Sequence, residues 1–411
     1  MNRRNYLVGM DVGTTQVRVI VGEPRSDGTV SVTGLGVSPS EGLKKGIIVD
    51  LEKTVESIAA AVAEAERMCG QSIASAYVGL KGSSLDLISN RGVVAVSSED
   101  REIREDDIGR ALQATRVIAL PPDREIVDII PREYIVDGYD GIRDPLGMLG
   151  VRLEVDAMIV TSRISFLRNL MRCVNRAGID INGLVLHSLA NAEVSLSADE
   201  KELGVFLVDL GGGATEISLF QQGKLRQICT IPIGGDHITN DLALGLRTSY
   251  FAAESLKLEH GRAFCAQSGN EVRIEVSMVG SKERRLVSEK EISRFIEPRI
   301  QEMFQIVREE TIRMGWTELP PAGVVLCGGV SAMPGILDVA RIYCNSEQVR
   351  LAEPDYLGIH NPMYSAALGT LYYVHRKQPK HFTHERGGKP AHRKSAGLWR
   401  KMKNWMGEIL E

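Results

Sequence analysis

Two short segments of the chain carry residue types suited to gripping phosphate. They are Met10-Asp11-Val12-Gly13-Thr14-Thr15 and Val208-Asp209-Leu210-Gly211-Gly212-Gly213. In each, an apolar strand ends on an aspartate, one apolar residue follows, and a glycine-led turn reverses the chain into a second strand. Glycines there let backbone N–H groups approach phosphate oxygens closely, and the Thr hydroxyls add donors. Asp11 and Asp209 offer hard oxygens that can hold Mg²⁺ through water. Either hairpin alone is equally an ordinary turn. Their recurrence in one order implies two related halves, each presenting a hairpin to a triphosphate held between them. Neither matches GxxxxGK(S/T) or GxGxxG, which sets aside Walker-type and dinucleotide-binding readings.

A third segment runs Val324-Val325-Leu326-Cys327-Gly328-Gly329-Val330-Ser331-Ala332-Met333-Pro334-Gly335. A buried strand leads into a glycine pair, where a flat base can lie against bare backbone. A helix is then expected to start near Met333-Pro334, with proline in its first turn. Between these pieces, Glu254 and Lys257 lie three apart on one helix face, a spacing shared by a binding pair and an exposed salt bridge.

Hydrophobic periodicity supplies the elements that must position these residues. Alternation marks strands at 205–208, 215–220 and 323–326, and helical spacing marks 51–68, 164–177, 252–260, 289–313 and 362–375. The texture changes between residues 86 and 162. There, short strand-like runs at 92–96, 125–130, 133–136 and 155–160 surround one helix at 106–116, as in a small inserted α+β domain.

The 411 residues suffice for two or three domains, and 43% apolar with 25% charged residues is a globular balance. A net charge of −4 gives no whole-chain sign of nucleic-acid binding. Six scattered cysteines without a CxxC pair read as free thiols of a reduced compartment. Asp11 interrupts the N-terminal apolar run too early for a signal peptide. No segment approaches the length of a membrane span, so the body is expected to be cytoplasmic.

The last residues differ from the rest. Residues 376–396 are polar and basic, a composition expected to be a disordered linker. Beyond it, Leu398, Trp399, Met402, Trp405, Met406, Ile409 and Leu410 fall within an arc of roughly 140° on a helical wheel, with Arg400, Lys401 and Lys403 at the flanks and far side. Such a helix suits the interface of an anionic membrane, and Lys377, Lys380, Lys389, Arg393 and Lys394 add positive charge upstream. A short helix of this kind binds weakly alone, so a polymer presenting many tails would hold by avidity.

These residues together resemble the actin/Hsp70/sugar-kinase nucleotide-binding superfamily, and within it the FtsA family. The resemblance covers nearly the whole chain. It is carried by DVGTTQVRVIVG, DPLGMLGVRLEV, ELGVFLVDLGGGATEISLF, IPIGGDHITNDLALGLRTS, AAESLKLEHG and VVLCGGVSAMPG, and by the tail. It implies an α/β, actin-like (ribonuclease H-like) two-lobed fold with an inserted α+β subdomain and a C-terminal amphipathic helix. The implied lobe 1 (subdomain 1A) is 1–85, 163–203 and 361–375, with the inserted subdomain 1C at 86–162. Lobe 2 (subdomain 2A) is 204–235 and 320–360, with subdomain 2B at 236–319. The linker at 376–396 and the membrane-targeting helix at 397–411 complete the chain.

The resemblance also implies roles. Asp11 and Asp209 would place Mg²⁺. Gly13, Thr14, Thr15, Gly211, Gly212 and Gly213 would hold the phosphates of ATP. Gly234 and Gly235 would approach ribose and phosphates, Glu254 and Lys257 would hold ribose and adenine, and Gly328, Gly329 and Met333 would flank the adenosine. Subdomain 2B would receive the C-terminal peptide of FtsZ, with Arg294, Arg299 and Arg308 as candidate partners for its acidic residues. Self-association into protofilaments, docking on an anionic membrane at the division site and recruitment of later division proteins would follow, with no nucleic acid involved. Filament-forming relatives such as MreB orient the attacking water with a Glu-Pro dipeptide. The comparable place here reads Leu186-His187-Ser188, without a carboxylate, so His187 is expected to be a local hydrogen-bonding residue and hydrolysis weak at most. The rivals are a small-molecule kinase of the same superfamily, which has no use for a membrane tail, and a pilus-assembly component of the PilM type.

Overall fold

A computed structural model describes residues 6–82, 85–267, 273–280, 284–354 and 361–377. Arg376 and Lys377, the first residues of the expected linker, instead end helix Ser365–Lys377; the rest of that segment and the membrane-facing residues Leu398, Trp399, Met402, Trp405, Met406, Ile409 and Leu410 lie outside the described residues. The chain divides into two compact units. One comprises Met1–Asp86 with Arg163–His375, and the other contains Leu87–Ser162.

The larger unit is built on two five-stranded sheets with one topology used twice. In the first sheet the order is Asp180–Leu186, Ser75–Leu80, Leu7–Val12, Gln16–Pro24, Val30–Pro39. In the second it is Val349–Leu351, Val324–Cys327, Val205–Leu210, Thr215–Gln221, Lys224–Ile231. Each has a buried opening strand that turns back through an antiparallel hairpin on one side and pairs with a parallel strand on the other. The two expected hairpins are therefore equivalent elements of a repeat. Their registers match residue for residue: Asp11 faces Arg18 and Val12 faces Val17, while Asp209 faces Glu216 and Leu210 faces Thr215.

The apolar faces explain the layering. Both opening strands are buried nearly end to end, reading Val8 to Asp11 and Val205 to Leu210, as expected where both faces of a sheet are covered. Helix Leu51–Cys69 packs Ile58, Ala61, Val62 and Ala65 against the first sheet. Gly36 is required at that contact, because a Cβ there would stand 1.9 Å from Ala61 O. The second sheet packs its core with Ile292, Ile296, Ile300, Met303, Phe304 and Val307 of helix Glu289–Arg313. Helix Ser365–Lys377 lies backbone to backbone on the first sheet: a Cβ on Gly9 would meet Ala367 O at 2.4 Å, and one on Gly369 would meet Ala190 O at 1.9 Å.

The smaller unit holds a four-stranded sheet in the order Leu85–Ala95, Arg152–Arg163, Arg124–Val136, Tyr139–Ile142, with helix Glu105–Ala114. The sequence runs 125–130 and 133–136 form one strand, Arg124–Val136, continuous through Pro131. Strand Tyr139–Ile142 pairs with it only at Tyr134 and Val136, short of Pro131. Asp107 anchors this unit. Its buried carboxylate accepts from the backbone N–H of Arg104 (3.0 Å) and of Ser97 (3.2 Å), from Ser97 Oγ (2.8 Å), and from Arg110.

One boundary differs from expectation. The helix after the third glycine segment is Ile336–Cys344, preceded by a short 3₁₀ turn at Gly329–Ala332. Met333 is extended and Gly335 is left-handed (φ 83°), so Pro334 lies ahead of the helix and outside its first turn.

Candidate functional site

The ends of the two opening strands converge on a cleft of about 420 Å³. Its wall includes Asp11, Gly13, Thr14, Thr15, Asp209, Gly211, Gly212, Gly213, Gly235, Glu254, Lys257, Gly328, Gly329 and Met333. Gly234, the remaining residue expected there, stands directly behind the second turn. A Cβ on it would meet Gly212 O at 2.4 Å and Gly211 O at 2.5 Å.

Backbone holds the second turn in place. Gly235 N donates to Gly211 O (3.0 Å) and Asp236 N to Gly212 O (2.9 Å), fixing the glycine turn on the start of helix Gly235–Leu246. The two turns touch. A Cβ on Gly212 would stand 1.9 Å from Thr15 Oγ1, and one on Gly213 would stand 2.6 Å from Thr14 Oγ1. Thr15 Oγ1 donates to Asp236 Oδ1 at 3.3 Å, and Gly46 N donates to Thr14 Oγ1 at 3.0 Å. The glycines therefore make a cradle that any side chain would fill.

On the far side, Lys257 Nζ donates to Glu254 Oε2 (2.6 Å), Thr239 Oγ1 (2.9 Å) and Gly235 O (3.2 Å), and Thr239 also donates to Glu254. Lys257 is 8% exposed, which rules out the solvated salt bridge that its spacing alone allowed. Burial pushes the Asp236 carboxyl upward, Lys257 pulls it back and Glu254 raises it further, leaving it above its ordinary value.

The floor of the cleft holds charges that the sequence reading missed. Arg18 Nη1 donates to Asp11 Oδ2 at 3.2 Å, while His187 Nε2 stands 3.4 Å from Asp11 Oδ1. Lys81, directly after strand Ser75–Leu80, reaches across from the first sheet to pair with Asp209, which also accepts from Asn191 Nδ2 at 3.2 Å. Glu216, 1% exposed, accepts from Ser188 Oγ at 2.6 Å. Burial works against charge on all three of these groups. For Lys81 the neighbouring Asp209 and Glu216 outweigh it and the pKa rises; for Asp209 the Lys81 charge outweighs it and the pKa falls. For Glu216 burial wins over Lys81 and Ser188, and its carboxyl is held above the usual range. His187 departs from expectation: it is buried, yet neither ring nitrogen has a hydrogen-bond partner among the described residues.

The sequence did contain a signal for part of this floor. The spacing of seven from Asp11 to Arg18 recurs from Asp209 to Glu216, so each aspartate has a charged cross-strand neighbour. Lys81 carries no such local mark.

The donor set bears on which metal could fit. No group of three or more His, Cys, Asp or Glu side chains suited to a metal occurs among the described residues. A Mg²⁺ that keeps its waters and takes phosphate oxygens suits the two carboxylates at the mouths of the turns, since it needs only one or two protein carboxylates.

Two of the three candidate peptide-binding arginines are engaged within the body. Arg299 binds Asp241 through two nitrogens (2.6 and 3.0 Å) and also pairs with Glu302. Arg308 donates to Trp316 O at 3.3 Å and to Thr317 O, tying the end of its helix to the following loop. Arg294 is exposed. Among the described residues, no helix is long and apolar enough to cross a membrane.

Comparison with known proteins places this geometry among relatives. Residues 206–369 match the family model described as "Cell division protein FtsA", and residues 82–161 match "SHS2 domain inserted in FTSA". The chain is 43% identical to Cell division protein FtsA of Bacillus subtilis over 92% of this chain and 85% of that protein. It is 40% identical to Cell division protein FtsA of Pseudomonas aeruginosa over 90% of each. Among solved structures, the PilM-PilN type IV pilus biogenesis complex superposes with a TM-score of 0.62 at 16% identity, covering 90% of this chain and 98% of that one. MreB5 of Spiroplasma citri bound to ADP gives 0.51 at 14%, covering 89% and 95%. At those identities the structures speak for the fold alone, which is actin-like.

Proposed function

The chain belongs to the FtsA family of cell division proteins, and from that premise we propose that it is an ATP-binding, polymerising tether that ties the FtsZ ring to the cytoplasmic face of the cell membrane at the division site. The observation that carries the ATP reading is the convergence of the two glycine turns, Gly13-Thr14-Thr15 and Gly211-Gly212-Gly213, on one cleft with Asp11 and Asp209 at its floor. MreB5 of Spiroplasma citri, of like fold, has been solved bound to ADP and, in another structure, to AMPPNP.

In this reading Gly13, Thr14, Thr15 and Gly211 to Gly213 hold the phosphates. Asp11 and Asp209 orient a hydrated Mg²⁺, which supplies countercharge to the phosphates when bound. Gly234, Gly235, Glu254 and Lys257 hold the sugar and base edge, and Gly328, Gly329 and Met333 flank the adenosine. The lobe and subdomain boundaries stated for the sequence apply, with residues 236–319 receiving the FtsZ C-terminal peptide. ATP acts chiefly as a ligand that controls assembly, and hydrolysis is slow because His187 and Ser188 stand where a water-orienting carboxylate would. Residues 397–411 lie on the membrane, and assembled copies hold there by the avidity of many tails.

The test is sedimentation with anionic lipid vesicles, comparing the whole chain with one ending at Ala396, each with and without ATP. Loss of pelleting on truncation, and ATP-dependent enhancement in the whole chain, are expected. Equal pelleting of the two forms would overturn the tether.

A further inference from the structure

The two halves of the repeat balance their charges differently. In the first hairpin Asp11 has a cationic cross-strand partner, Arg18, and the pair neutralises itself at 3.2 Å. In the second, Asp209 has Glu216 opposite, two carboxylates on one face of adjacent strands, 6% and 1% exposed. Like charges in that position repel, and burial magnifies the cost. The compensation comes from the other sheet: Lys81 sits on Asp209 with Glu216 as its second acidic neighbour. Among the described residues no other Lys or Arg pairs with either carboxylate. The Lys81 side chain remains 21% exposed and lines the cleft.

We propose that Lys81 is the standing counter-cation of the phosphate cleft, so that the protein binds nucleoside triphosphate without a divalent metal. This rests on the nucleotide reading above. Before a ligand arrives, the ammonium offsets the Asp209–Glu216 pair. When a triphosphate enters without metal, it gives the terminal oxygens a fixed positive partner on the Asp209 side of the cleft. Three rotatable donors suit Lys to holding a carboxylate and a phosphate at once.

The experiment is calorimetric titration of the whole chain with ATP, in Mg²⁺ and in EDTA. The wild type is expected to lose about tenfold or less on chelation. Lys81→Met is expected to bind in Mg²⁺ but to lose about 10- to 100-fold more than the wild type in EDTA, the range of a charge-assisted hydrogen bond. Lys81→Arg should restore the metal tolerance. Because Lys81→Met strands two buried carboxylates, the double variant Lys81→Met/Glu216→Gln, which removes one charge of each sign, serves where the single variant does not fold. It should show the same metal dependence as Lys81→Met. Loss of wild-type binding in EDTA, or an identical metal dependence in wild type and variants, overturns the proposal. Absence of ATP binding by the wild type in Mg²⁺ overturns the nucleotide reading itself.

Discussion

Ser188 Oγ donates to Glu216 Oε1 across 2.6 Å, joining the helix after the first sheet to the hairpin of the second at a point sealed from solvent. The carboxyl it holds is kept above its usual range, chiefly by burial. A carboxyl raised in the folded state binds its proton more tightly there than in the unfolded chain. Stability from this group is therefore greatest below the unfolded value of 4.5 and falls as pH rises through the folded value. Glu216→Gln removes that dependence. Thermal melts of wild type and variant across pH should show the variant gaining on the wild type as pH rises above 4.5. A gap that stays constant would mean that Glu216 titrates normally.

The contact between the two turns predicts a second effect. Alanine at Gly212 would place its Cβ 1.9 Å from Thr15 Oγ1 and 3.3 Å from Asp236 Oδ1, so the turns must part. Gly212→Ala should weaken ATP binding by about tenfold or more, a loss of about 1.4 kcal/mol. Unchanged affinity by calorimetry would show that the turns do not cradle the phosphates.

How far the fold could be read from the sequence follows from the range of the interactions involved. The glycine hairpins were legible because turn chemistry and strand alternation are local, and their repetition doubled the signal. Helix 289–313 was legible to its ends, since Ser288 caps it through Glu291 N and its apolar face runs unbroken. Helix His187–Ser195 was not, because it is buried nearly all round and so has no amphipathic stripe to detect. Lys81 was out of reach for another reason: its partner Asp209 is 128 residues away, and one lysine after a strand looks like any surface lysine. Strand Arg124–Val136 was split at Pro131 because proline ordinarily marks a break in a strand, whereas here the strand runs through it.

Arg294 and Arg299 should separate binding from stability. Arg299 is tied in two places to Asp241, so Arg299→Ala is expected to cost about 1–2 kcal/mol of stability, visible in the denaturant midpoint. Arg294 is exposed, and Arg294→Ala should leave the midpoint unchanged while weakening capture of the FtsZ C-terminal peptide. If Arg294→Ala binds the peptide like the wild type, that arginine is not part of the peptide site.

The smaller unit should be the acid-sensitive one. Burial pushes the Asp107 carboxyl upward, but the Arg104 and Ser97 donors and Arg110 overcome it and lower it to about 2 from an ordinary 3.8. A depressed carboxylate contributes stability above its unfolded value and loses it as pH falls through the folded one. Protection against hydrogen exchange at residues 87–162, taken relative to the intrinsic rate at each pH, should fall between pH 3.8 and about 2 in the wild type. In Asp107→Asn that protection should already be low at neutral pH, with little further change on acidification. Similar profiles for the two proteins would count against Asp107 as the anchor.

Helix Ser365–Lys377 meets the body backbone to backbone at two points, Gly9 against Ala367 O and Gly369 against Ala190 O, and packs Leu368 and Leu371 with Ile20 and Val30 beside them. At those two points nothing stands between the backbones, and close-packed interiors transmit displacement instead of absorbing it. Residues 365–377 thus form a stiff seat on the strand that bears Asp11 and on the helix that bears Asn191. Mechanical load on that seat enters the molecule at the floor of the cleft.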